Sequence, residues 1–136
     1  MAAIDPRDLI GTWSLESFHV VGSDGAPVDG PLGPEPRGLL IYGADRHVSV
    51  SMMSTAEPVA AQGDPRTRFM GYAGTWRLAG LQVHHRIEVS SHRYLIGSTQ
   101  VRELSFAGEL LVLSGSAADA GGPAGRGVLR WRPAAG

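Results

Sequence analysis

No stretch of this chain keeps a helical period. Apolar and polar residues alternate instead in short runs that recur about every 10 to 15 residues, with Gly, Asp and Pro between them. The runs predict strands at 12–21, 37–43, 46–53, 69–77, 81–90, 95–106, 109–115 and 126–133. Eight antiparallel strands joined mostly by hairpins predict an up-and-down barrel, because closing the sheet removes both exposed edges. An open two-layer sandwich is the alternative that the same pattern allows. One helical turn precedes the strands in "DPRDLIG", with Asp5 as its cap, Pro6 at its first position and Gly11 at its end.

At 136 residues the chain is expected to form one domain over 1–136 and to bury a core without disulfides or metals. Two connections are too long for hairpins. Residues 22–36, "GSDGAPVDGPLGPEP", are stiffened by Pro and are expected to cross one mouth. Residues 54–68, "STAEPVAAQGDPRTR", are expected to hold a short helix and act as a lid, a plain surface excursion being the equal alternative for either connection, and 116–125, "SAADAGGPAG", to be flexible.

Composition narrows the chemistry. With no Cys, thiolate nucleophiles and Cys-bound zinc are excluded; with no Lys, so is Schiff-base catalysis. A net charge of −1 argues against nucleic acid, which asks for a basic patch. No apolar run approaches the roughly 18 residues of a membrane helix. "MAAIDPRDLIGTW" lacks the basic-then-apolar pattern of a signal peptide, so the expected location is cytoplasmic. The five His show no metal-binding spacing, no Gly-x-Ser-x-Gly elbow is present, and neither metal nor cofactor is expected.

The alternation also assigns faces. In "VHHRIEVS", Val83, His85, Ile87 and Val89 share one side and His84, Arg86 and Glu88 the other, so His85 faces inward and His84 outward. A two-residue turn at Ala79-Gly80 sets Leu78 against Leu81, Trp76 against Val83, Gly74 against His85 and Tyr72 against Ile87. Gln100, Arg102, Leu104 and Phe106 fall inside on the next strand. "LLIYGADRHVSVSMM" places Leu39, Ile41, Val48, Val50 and Met52 inward, and sends Tyr42 and His47 outward. Outward Leu40, Tyr42, Leu110 and Val112 leave room for a homodimer face.

"LIGTWSL" puts a Gly-x-Trp after a helical turn, at the start of the first strand, and so resembles the lipocalin signature. From there through "GLLIYGADRHVSVSMM", "YAGTW", "HRIEVS", "GSTQVREL" and "VLRW", the chain is similar to the bacterial lipocalin-like domain family of small cytoplasmic proteins. It departs at "SSHRYLIG", where the family tends to carry Asn-Pro and a Trp. The resemblance implies a barrel for a hydrophobic ligand, with His85, Gln100 and Arg102 at matching positions. It also implies an Arg of the last strand, Arg130 or Arg132, packed across Trp13.

Two functions follow as expectations. The first is a binding protein for a small hydrophobic, polyketide-like metabolite, anchored by His85 and Arg102 and lined by Tyr72, Trp76, Gln100, Met52, Phe106 and Ile87. The second is a cofactor-free cyclase or isomerase of a secondary-metabolite pathway, in which His85 moves a proton and Arg102 steadies an oxyanion. Against both stands a packed interior in which His85 and Arg102 are structural. His19, on the face of Trp13, Leu15 and Ser17, is a further candidate at a barrel mouth.

Overall fold

In a computed structural model of the chain, residues 4–22, 24–55, 69–116 and 125–134 are described. The expected helical turn is a 3-10 turn, Pro6–Asp8. The Asp5 carboxylate accepts from the Arg7 N–H at 2.9 Å, and Asp8 accepts in return from the Asp5 N–H, so the turn is capped from both sides. Leu9, fully buried, ends it; Gly11 instead opens the first strand.

Nine strands follow among the described residues: β1 (Gly11–Val21), β2 (Pro27–Asp29), β3 (Arg37–Tyr42), β4 (His47–Met53), β5 (Phe69–Ala79), β6 (Gln82–Ser90), β7 (Thr99–Ala107), β8 (Leu110–Ser116) and β9 (Arg126–Pro133). All neighbouring pairs are antiparallel, and β1 pairs with both β3 and β9, so β1 and β3 to β9 close an eight-stranded barrel. The open sandwich is thereby set aside. The ninth strand, β2, comes from the 22–36 connection and extends the β3 side of β1, pairing His19 with Asp29. The 22–36 connection also buries Leu32 and donates the Gly30 N–H to Phe18 O at 3.1 Å. The lid expected at 54–68 and the link at 116–125 lie almost wholly outside the described residues.

Two bulges decide which side chains look inward. Opposite β9, Glu16 is the extra residue of β1, so the buried set passes from Trp13 and Leu15 to Phe18 and Val20. His19 therefore leaves the Trp13 face and is half-buried. Opposite β5, Glu88 is the extra residue of β6, and Val89, expected inside, is exposed. The β5–β6 hairpin turns at Gly80-Leu81 rather than Ala79-Gly80, pairing Ala79 with Gln82. Gly80 supplies the positive φ (64°) that the first central position of a type II′ turn requires. Trp76 consequently faces His85, not Val83, and Gly74 faces Ile87. These shifts are even-numbered, so the inner face survives.

The β3 assignment is overturned outright. Tyr42 pairs with Val48 and Leu40 with Val50, which puts Leu40 and Tyr42 inside while Leu39 and Ile41 are exposed. In "LLIY" every residue is apolar, so alternation carried no information there. The homodimer face loses Leu40 and Tyr42 to the interior, and Leu110 and Val112 are half-buried.

Aromatic rings close the end of the barrel where β1 begins. Trp13 donates its indole N–H to Leu9 O at 2.9 Å and meets Phe106 at 6.5 Å between ring centroids. Trp76 donates to Gly43 O at 3.0 Å, packs edge-on to Tyr42 at 5.0 Å, and carries the Arg46 guanidinium 4.6 Å above its ring. Of the two Arg expected across Trp13, Arg132 pairs instead with Glu16 at 2.8 Å, and Arg130 lies opposite Ser17 on β1.

Gly74 marks a close approach between β5 and β6. A Cβ built on it would lie 1.8 Å from the Arg86 carbonyl oxygen. Gly74→Ala is expected to destabilise the fold by about 3 kcal/mol or more, against about 1 kcal/mol for Gly80→Ala, which meets no neighbour. Urea unfolding midpoints of the two variants check the order.

Candidate functional site

Above the aromatic end, the inner faces leave a cavity. Its apolar wall comes from Phe18, Leu40, Val50, Met52 and Met70 on β1 and β3 to β5, and from Leu113, Leu129 and Trp131 on β8 and β9. Tyr72, His85, Gln100 and Arg102 form its polar wall. Leu95 completes the lining from a 3-10 turn, Arg93–Leu95, where the sequence pattern predicts a strand from 95 onward. Local hydrogen bonds favour the turn: Ser98 Oγ donates to Leu95 O at 2.5 Å, and the His92 N–H donates to Ser90 Oγ at 2.9 Å.

Of the residues expected in the site, Tyr72, Met52, His85, Gln100 and Arg102 meet at this cavity. Trp76 and Phe106 belong to the aromatic end below it, and Phe106 is 40% exposed. Ile87 is buried beside Gly74, outside the cavity wall. Tyr42 and Trp131 were not anticipated. The space open to the centre of a water-sized sphere is about 40 Å³, room for a few waters. Ligand clefts commonly offer roughly 300–1,000 Å³. A metabolite would therefore have to displace part of the wall, and Met52 and Met70 are the unbranched side chains best able to repack.

The polar wall is built around His85, which is 1% exposed and directly opposite Gln100. Tyr42, on β3, meets His85 Nε2 through its hydroxyl at 2.6 Å, and Tyr72, on β5, meets Nδ1 at 2.5 Å. Both ring nitrogens are therefore engaged. Burial pushes the imidazole pKa down to about 3, with the Arg102 guanidinium and His84 acting in the same direction, so His85 is neutral near pH 7. Burial also pushes Tyr72 up to about 12, against the pull of Arg102. Tyr42 rises well above its ordinary value through burial and the neighbouring Tyr72. Both phenols are protonated at any ordinary pH.

Arg102 is half-buried on β7, two residues from Gln100 and on the same face. Its Nη2 donates to Gln100 Oε1, and its Nη1 donates to Val101 O at 3.0 Å. His84, across the strand from His85, meets Arg77 at 3.1 Å on the outer face. Among the described residues, no three His, Asp or Glu side chains stand together as a metal site. No helix among them is long and apolar enough to cross a membrane.

A closed eight-stranded antiparallel barrel is consistent with a lipocalin-like fold. The family model for the lipocalin-like domain matches residues 10–134, and the chain belongs to that family. No curated protein matches it. The lipocalin-like barrel suits binding of a hydrophobic ligand.

His85 also ties stability to pH. Its folded pKa lies below the value near 6.5 of an exposed histidine, so the unfolded chain binds the extra proton between the two. The contribution is complete above pH 6.5 and is lost as pH falls toward 3, by at most about 1.4 kcal/mol per pH unit. His85→Gln, which keeps a hydrogen-bonding group there, is expected to flatten the dependence by nearly one proton between pH 4 and 6. Urea midpoints for both proteins across that range would test it; parallel curves would mean that His85 titrates normally.

Proposed function

We propose that this protein binds a small hydrophobic molecule of polyketide-like character inside the barrel, with its polar end held by Arg102 and the His85 cluster. One observation carries the reading: four polar side chains converge on one wall of an otherwise apolar cavity. A guanidinium at the wall of an apolar cavity places a fixed positive charge and several N–H donors beside any ligand there. A ligand oxygen would be held by a charge-assisted hydrogen bond there. Tyr72, Gln100 and Met52 would contact the ligand directly, while Trp76, Phe106 and Ile87 would support the barrel around it.

The same residues admit a cofactor-free cyclase or isomerase with His85 as its acid or base. The geometry favours binding over that alternative. His85 has no ring nitrogen left for a substrate proton, and with a pKa near 3 it is a weak base. A proton could reach substrate only through the Tyr72 hydroxyl.

Native mass spectrometry against a panel of aromatic and polyketide-type ketones and acids tests the reading. Saturable one-to-one binding is expected, weakened roughly tenfold or more in Arg102→Leu, with the thermal midpoint showing that the variant stays folded. Equal binding by the two proteins would move the site away from the cavity. Conversion of a bound substrate, lost in Tyr72→Phe, would favour the enzyme.

A further inference from the structure

Resting on the reading of the cavity as a ligand site, the direction of its hydrogen bonds specifies the ligand. Tyr42 is 1% exposed, and among the described residues its hydroxyl meets only His85 Nε2. Were Nε2 protonated, it would donate to the Tyr42 oxygen and leave the Tyr42 proton buried with no acceptor. Tyr42 must therefore donate, which makes Nε2 the bare nitrogen and puts the imidazole proton on Nδ1. Nδ1–H then donates to the Tyr72 oxygen, and the Tyr72 proton is left to point at the cavity that Tyr72 lines.

The other polar groups of the wall have the same polarity. Gln100 Oε1 is occupied by Arg102, so Gln100 has its amide N–H groups left to offer. Arg102 is a donor by nature. Across the cavity, Trp131 is 1% exposed, and its indole Nε1 is buried with no hydrogen-bond partner among the described residues. Trp13 and Trp76, by contrast, each donate to a backbone carbonyl. A buried orphan donor is rare in a folded protein and destabilising unless something completes it.

We propose that the cavity selects ligands by acceptor oxygens: an apolar body bearing a ketone, quinone or enolate oxygen, received by the Tyr72 hydroxyl and Arg102 from one side and by Trp131 Nε1 from the other. Amines and ligands whose polar atoms are mainly donors are disfavoured, since the Tyr72 and Gln100 oxygens each already accept one hydrogen bond and the Arg102 guanidinium repels a cation. Chemically, a ligand of this kind would come from a reaction that generates or unmasks a ketone on a carbon skeleton.

Three bicyclic probes of nearly equal shape separate the alternatives: 1-tetralone with an acceptor, tetralin with neither group, and 1-aminotetralin with donors. Titrations by calorimetry are paired with nitrogen-15 correlation spectra, in which the three Trp give three indole N–H signals. The tetralone is expected to bind roughly tenfold or more tighter than tetralin and to move the Trp131 indole proton downfield, with Trp131→Phe identifying that signal. Both Trp131→Phe and Tyr72→Phe should reduce the ratio of tetralone to tetralin affinity severalfold, whatever either does to the tetralin affinity alone. The second variant serves if the first fails to fold. Equal binding of tetralone and tetralin, or tightest binding of the amine, overturns the donor assignment but leaves the cavity a ligand site. Binding of none of the three overturns the site and the selection together.

Discussion

Eight residue pairs between β1 and β9 join the first and last strands, and everything inside the barrel depends on that seam. An open sheet would leave two rows of unpaired backbone groups and a half-wet inner face. Closure turns the same face into an interior in which an imidazole, two phenols and an indole are dry. The seam is not regular. Skipping Glu16 keeps β1 paired with β9 from Trp13 to Val21 while turning Phe18 and Val20 inward, where Phe18 becomes part of the cavity wall. Glu16 itself turns outward and meets Arg132 of β9 across the same seam.

Once water is excluded, polar groups survive only by satisfying one another. His85 does so with partners drawn from two other strands, Tyr42 of β3 and Tyr72 of β5, and so its two hydrogen bonds fix the sides of the barrel relative to each other. Replacing one member by an apolar residue would leave the others buried and incomplete, and that loss usually exceeds the net worth of the bond itself. Such a chain also has a sense of direction. A fully buried end must give its proton inward, and the far end is then free to donate.

Positions of the eight barrel strands were readable in the sequence because hairpin turns and alternation repeat along the chain, and they differ from the observed ones by a few residues at most, apart from the start of β7; the short β2 inside the 22–36 connection was not foreseen. The inner placement of Tyr72, His85, Gln100 and Arg102 was readable for a subtler reason. The β5–β6 hairpin turns one residue later than expected, which shifts the pairing by two, and a shift of two preserves faces. Where the signal was absent, the reading failed. "LLIY" has no charged or small polar residue to betray its orientation, so alternation there fits Tyr42 on either face; pairing it with Val48 requires knowing that five residues, 43–47, lie between the two. Bulges at Glu16 and Glu88 misplaced His19 and Val89, because an extra residue leaves no mark in a period-two pattern. The orphaned indole of Trp131 lies beyond any one-dimensional reading, since it is defined by what fails to come near it.

The two ends of the barrel differ in how far they can yield. At the aromatic end, Trp13 and Trp76 are each tied to a backbone carbonyl, and Trp76 is covered by Arg46, so this floor is fixed. Higher up, the apolar wall includes two methionines and Leu95 from a short turn between strands, side chains and backbone with more ways to rearrange. The polar wall is rigid again, because its hydrogen bonds have fixed partners. A ligand entering such a space meets one adjustable surface and one that does not adjust. Shape is then selected loosely and the placement of its polar atoms strictly, since a misplaced methyl costs a rotamer change while a misplaced donor costs a buried, unpaired hydrogen bond. Discrimination would therefore rest more on where the oxygen sits than on the outline of the hydrocarbon.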